Sequence, residues 1–149
     1  FITMIAGIIN NLLFNNSVYK QDNDDILIRI INLIKEATQT NKLTNDSKVR
    51  SGLIEIIKNA KMLRYICKNK VQSKSDVNIE PFEKINNLLI EILKNNKATK
   101  EDYENYLHEL VKRLNIQGDE DLINKTTNLI NKIITNTQII IAKFDKYMK

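Results

Sequence analysis

Leu122, Thr126, Leu129, Ile133, Thr137, Ile140, Phe144 and Tyr147 recur at intervals of four, three, four, four, three, four and three residues. Side chains three or four positions apart share one face of an α-helix. The spacing therefore predicts one continuous helix from about residue 120 to residue 148, about 40 Å long at about 1.5 Å per residue. Two consecutive intervals of four depart from a strict heptad. Ile123, Ile130, Ile134, Ile141 and Met148 widen the apolar stripe further. A two-stranded coiled coil needs only a narrow seam, whereas a stripe this wide suits a helix packed against two or more neighbours. The rest of the chain has to supply those neighbours. The same stripe leaves pairing of its C-terminal turns with a second chain, and so homo-oligomerisation, open.

Five further segments repeat the helical period. The first, about 1–14, places Ile2, Ile5, Ile9 and Leu12 on one face, and 15–23 reads as a turn-rich link. The second starts after Asp22, Asp24 and Asp25, acids suited to the positive end of a helix, with Leu27, Ile30, Ile31 and Ile34 as its stripe. The polar run "TQTNKLTNDSK" separates it from a third helix over about 48–69. "VQSKSDVN" is the most loop-like stretch. A fourth helix then starts at Pro81, a residue tolerated in the first turn, with Phe82, Ile85, Leu89 and Ile92 inward. "NNKAT" closes it, and Thr99 with Asp102 resembles a capping box opening the fifth. That helix turns Tyr103, Leu107, Leu110 and Leu114 inward, with Gly118 as its stop and Asp119 as the next N-cap. With only three glycines and one proline in 149 residues, little interrupts these elements. The expected fold is all-α: a compact bundle of about six helices, one domain over residues 1–149, with a long C-terminal helix.

The chain opens on Phe rather than Met, which reads as a fragment or processed part of a longer chain. Its apolar opening lacks the basic stretch of a signal peptide, and Asn10 and Asn11 interrupt it early. No window approaches the ~20 apolar residues of a membrane span. One cysteine excludes an intrachain disulfide but does not distinguish a cytoplasmic from a secreted or surface-exposed domain. Ile, Asn and Lys supply 65 of the 149 residues, which reads as the codon bias of an AT-rich genome. That bias also explains the scattered "IINNLL"-like echoes, whose spacing fits no repeat period.

No segment spells a chemistry. His108 is the single histidine; Glu104 lies one turn before it and Glu101 offers a third oxygen, but it reads as a surface side chain. Cys67 projects onto the face of Leu53, Ile56, Ala60 and Leu63, a core position for a small apolar thiol. The groups Asp22, Asp24, Asp25 and Asp119, Glu120, Asp121 lack the ligand spacing and glycine of a calcium loop and read as helix starts. Paired cysteines, HExxH, GxSxG and glycine-rich phosphate loops are all missing from the sequence. The reading is a protein that is not an enzyme and takes no cofactor or metal.

What stands out is charge. Residues 48–74 carry eight basic residues and one acid, a local net of +7 in a chain whose total is +5. On the third helix Arg50, Lys58, Lys61 and Lys68 form a stripe with Arg64 at its edge and Tyr65 close by. Val49, Leu53, Ile56, Ile57, Ala60, Leu63 and Cys67 form the apolar side of the same helix. The plainest reading is the solvated side of a core helix. The functional reading is a protein-binding face for an acidic partner, formed by Arg50, Lys58, Lys61, Arg64, Tyr65 and Lys68, or by a groove between helices. Nucleic acid is the rival partner class, weakened by few arginines and few aromatics. A purely structural domain of a larger protein is the third.

Overall fold

A computed structural model describes residues 1–71, 79–95 and 99–148, and among them every regular element is a helix. In chain order these are α1 (Ile2–Phe14), α2 (Asn16–Tyr19), α3 (Asn23–Thr38), α4 (Ser47–Ile66), α5 (Ile79–Lys94), α6 (Lys100–Arg113) and α7 (Glu120–Met148). The fold is an all-α compact bundle with a long C-terminal helix. Among the described residues seven helices stand where about six were expected, because the link 15–23 contains the one-turn α2. The side chain of Asn15 accepts from the N–H groups of Ser17 and Val18, so a cap rather than a periodic stripe creates this turn.

Local chemistry sets the helix starts. Asp22 accepts from the Asp24 N–H at 2.9 Å, and Asp46 from the Lys48 N–H at 2.8 Å. Thr99 and Asp102 form the reciprocal capping box at the head of α6. The Asp119 carboxylate accepts from the Leu122 N–H at 3.2 Å at the head of α7. The stops depart further from expectation. α6 leaves the helical path at Asn115, with φ 55°, before reaching Gly118, whose φ of 83° serves the following turn. Asn tolerates the left-handed region better than most residues. α4 ends at Ile66 rather than 69, where the Cys67 N–H is shared between the Leu63 and Arg64 carbonyls. α5 starts at Ile79, leaving Pro81 in its first turn. Residues 72–78, most of the expected loop, and 96–98 lie outside the described residues.

α4 is the hub. α1, α3 and α7 all pack on it, its contact with α7 being the most extensive of any helix pair, while α5 joins α1 to α6. Its apolar side, Val49, Leu53, Ile56, Ile57, Ala60, Leu63 and Cys67, is buried throughout. Ile133 and Thr137 of α7 are fully buried as well. The Thr137 hydroxyl donates to the Ile133 carbonyl at 2.7 Å, so its polar atom is satisfied within its own helix. The core departs from the projected stripes at several positions, among them Met148 of the α7 stripe, which is 36% exposed. Ile26 is buried where Leu27 is only partly so; Tyr106 is fully buried where Tyr103 and Leu107 are half-buried; and Leu43, inside the polar run, is fully buried. No helix among the described residues is long and apolar enough to cross a membrane.

Candidate interaction site

Among the described residues α1, α3 and α7 pack on α4, and its exposed residues form one strip. The exposed residues Glu55, Lys58, Met62 and Tyr65 follow at intervals of three, four and three and share that strip. Tyr65 is 63% exposed and Met62 54%, large values for side chains of this kind. Lys58, Lys61, Met62 and Tyr65 line an open depression whose opposite edge is made by Tyr19 of α2 and Asn23 of α3. Lys68 stands in the turn after α4, its ammonium 5.0 Å from the centre of the Tyr65 ring. Among the described residues, Lys58, Lys61 and Lys68 have no carboxylate within ion-pair distance.

The six residues singled out in the sequence fall into different environments. Lys58, Lys61 and Tyr65 share the depression, with Lys68 at its rim. Lys61 is half-buried, and its ammonium donates to the Gln21 carbonyl, tying α4 to the start of α3. Arg50 is exposed on the first turn of α4, about 12 Å from Lys58 along the axis, and its Nε donates to the Thr44 carbonyl at 2.6 Å.

Arg64 is 5% exposed. Its Nη1 donates to the Leu13 carbonyl at 2.7 Å, its Nη2 donates to the Asn16 side chain, and its guanidinium lies 4.7 Å from the centre of the Tyr19 ring. Burial pulls its pKa below the ordinary arginine value, and the neighbouring Tyr19 opposes that shift. The side chain fastens α2 to α4 and so places Tyr19 at the edge of the depression. The sequence projection offered no sign of this, because the residues that enclose Arg64 come from α1 and α2. Met62, Tyr19 and Asn23 were also not singled out. The available signal for Met62 was its position on the helical face opposite the core.

The remaining polar clusters have structural explanations. Glu109 of α6 is buried among Lys84 at 3.1 Å, Lys112 at 3.7 Å and Arg113 at 3.8 Å. Burial raises its pKa, but the Lys84 hydrogen bond and the three cations outweigh it, leaving the carboxylate below its ordinary value. Asp46 accepts from the Tyr147 hydroxyl at 2.7 Å and meets Lys143 at 3.3 Å, joining the head of α4 to the tail of α7. Cys67 is buried, and desolvation raises its thiol pKa against the pull of the Thr126 hydroxyl and the Lys70 charge. His108 and Glu104 are exposed. Among the described residues no three His, Cys, Asp or Glu side chains are grouped to hold a metal ion. No family model matches the chain, and comparisons with curated proteins and with solved structures return no match.

Proposed function

We propose that this helical domain is a non-enzymatic interaction module that holds an acidic protein partner on the exposed strip of α4. The observation that carries the reading is the placement of Met62 and Tyr65, both largely exposed, between Lys58 and Lys68. Isolated apolar side chains on a surface are ordinary; a methionine and a tyrosine side by side at the mouth of a depression are a better contact surface. Magnitudes divide the labour. Burying a large apolar side chain is worth about 1.5–3 kcal/mol, and an exposed ion pair about 0–1 kcal/mol. The apolar pair would supply most of the hold, and the lysines would steer the encounter and select the partner.

Nucleic acid is the second reading, favoured by a lysine-rich surface with an exposed aromatic ring, the elements of a single-strand stacking platform. It is disfavoured by the internal use of Arg64, which removes an arginine from the surface.

The test is a double charge reversal, Lys58→Glu with Lys68→Glu. Lys61 is left in place because its ammonium supports the α3 start. Wild type and variant are titrated against duplex and single-stranded DNA at several salt concentrations, beside affinity capture from lysate. A captured protein lost in the variant, with weak DNA binding, supports the proposal. Tight DNA binding that falls steeply with salt and disappears in the variant supports the second reading. Identical behaviour of both proteins in every arm refutes a role for the strip.

A further inference from the structure

Resting on the reading of α4 as a protein-binding face, we infer that its occupant is an amphipathic helix with two neighbouring apolar side chains flanked by carboxylates. Along α4 the rise from Lys58 to Met62 is about 6 Å, and from Met62 to Tyr65 about 4.5 Å. Lys68 lies just beyond the helix, and its ammonium folds back over the Tyr65 ring. Positive charge therefore stands at both ends of one short apolar step. A partner helix alongside matches Lys58, Met62 and Tyr65 with side chains at i, i+4 and i+7, a single seam of the kind that joins two helices, and its next seam position, i+11, points towards the turn that carries Lys68. An extended segment fits worse, because the side chains on one of its faces recur every ~6.6 Å and miss the shorter step between Met62 and Tyr65.

The surrounding charges narrow the ligand further. Glu55 lies one turn before Lys58 on the same strip, and the exposed Asp24 and Asp25 follow Asn23 in the first turn of α3. A continuous phosphodiester strand crossing the depression would pass these acids. A protein segment with two spaced carboxylates meets only the lysines. The carboxylate at i faces Lys58, the apolar residues at i+4 and i+7 face Met62 and Tyr65, and the carboxylate at i+11 faces Lys68. A basic residue three or four positions before i would meet Glu55 and fix the register.

The probe is a fluorescently labelled, helix-forming peptide with Glu, Leu, Leu and Glu at i, i+4, i+7 and i+11, followed by anisotropy. A control peptide carries Ser in place of both Leu residues. The protein variants are Met62→Ser with Tyr65→Ser, and Lys58→Glu with Lys68→Glu, each first shown by thermal melting to keep the wild-type midpoint. Wild type should bind the Leu peptide, and either the Ser peptide or the Met62/Tyr65 variant should weaken binding by about tenfold or more. The charge variant should slow association and remove much of the salt dependence. If Leu and Ser peptides bind equally, the apolar anchor is wrong while the electrostatic role of α4 stands. If neither peptide binds, the helical ligand is overturned. If single-stranded DNA binds more tightly and displaces the peptide, the protein-partner reading falls with it.

Discussion

Gly52 lies inside α4 at its contact with α7, the largest helix–helix contact among the described residues. A small residue at such a crossing suggests a glycine required by space. The distances say otherwise. A Cβ at position 52 would lie 3.4 Å and 3.5 Å from the Ile140 side chain and 3.6 Å from the Asn136 carbonyl oxygen. These are ordinary van der Waals contacts, and Gly52 is outside the left-handed region that favours glycine. Replacing a helix-interior glycine by alanine gains about 0.8–1.0 kcal/mol from backbone propensity alone. Burial of one methyl adds up to about 0.8 kcal/mol, less whatever adjustment Ile140 makes. Gly52→Ala should therefore stabilise the protein by about 1 kcal/mol, raising the melting midpoint by about 2–4 °C for a chain of this size. Gly52→Leu should do the reverse, because its outer carbons extend into the space of Ile140, and overpacking costs about 1–3 kcal/mol. Urea unfolding followed by circular dichroism measures both. If Gly52→Ala lowers the urea midpoint at unchanged slope, α7 sits too close for any side chain at this position.

Arg64→Lys should destabilise by about 1.5–3 kcal/mol, the range for hydrogen bonds to a charged group, because one ammonium cannot serve Leu13, Asn16 and Tyr19 together; an unchanged thermal midpoint would refute its role as a fastener. The Asp46 carboxyl is lowered to about 2, chiefly by the Tyr147 hydrogen bond against the opposing effect of burial, and further by the Lys48 N–H and Lys143. Its contribution is complete above the ordinary value of 3.8 and is lost as pH falls towards about 2. Tyr147→Phe should flatten that acid limb in urea midpoints measured between those two values, and an unaltered pH profile would contradict the link. The same bond raises the Tyr147 phenol above its ordinary value of 10.0, so its contribution is full below that pH and fades as pH rises through the raised pKa. Cys67 should resist a thiol probe at neutral pH and react once the chain is unfolded in urea; fast labelling of native protein would place the thiol at the surface.

The helical bundle was legible because each long element carries its own period. The seven apolar positions projected on one side of α4 are all buried, and the Thr99–Asp102 capping box forms as its spacing suggested. Illegible features have no periodic signature. Leu43 is a single apolar residue in a polar run and reaches the core through tertiary packing alone. α2 is too short for a stripe and is held by its Asn15 cap and by Arg64. The candidate site was legible in half its chemistry: the lysines and Tyr65 could be placed on α4, but the opposite edge comes from Tyr19 and Asn23, on elements that projection of one helix cannot bring near. Arg64 was misplaced for the same reason, since its length lets it turn inward to a carbonyl 51 residues away in sequence.

The pairing of α4 with α7 also bears on how the chain is made. α4 finds its largest cover in a helix that is synthesised only after α5 and α6. At translation speeds of about 5–20 residues per second, α4 would wait on the order of ten seconds between its own emergence and that of the last turn of α7. During that interval α1 and α3 can shield part of it, but the side that receives α7 stays open to other apolar chains. Folding of the hub is thus delayed until a late element arrives, and distant closure of this sort is slow compared with local helix formation. A ribosome stalled before α7 would hold a nascent chain whose α4 lacks its main cover.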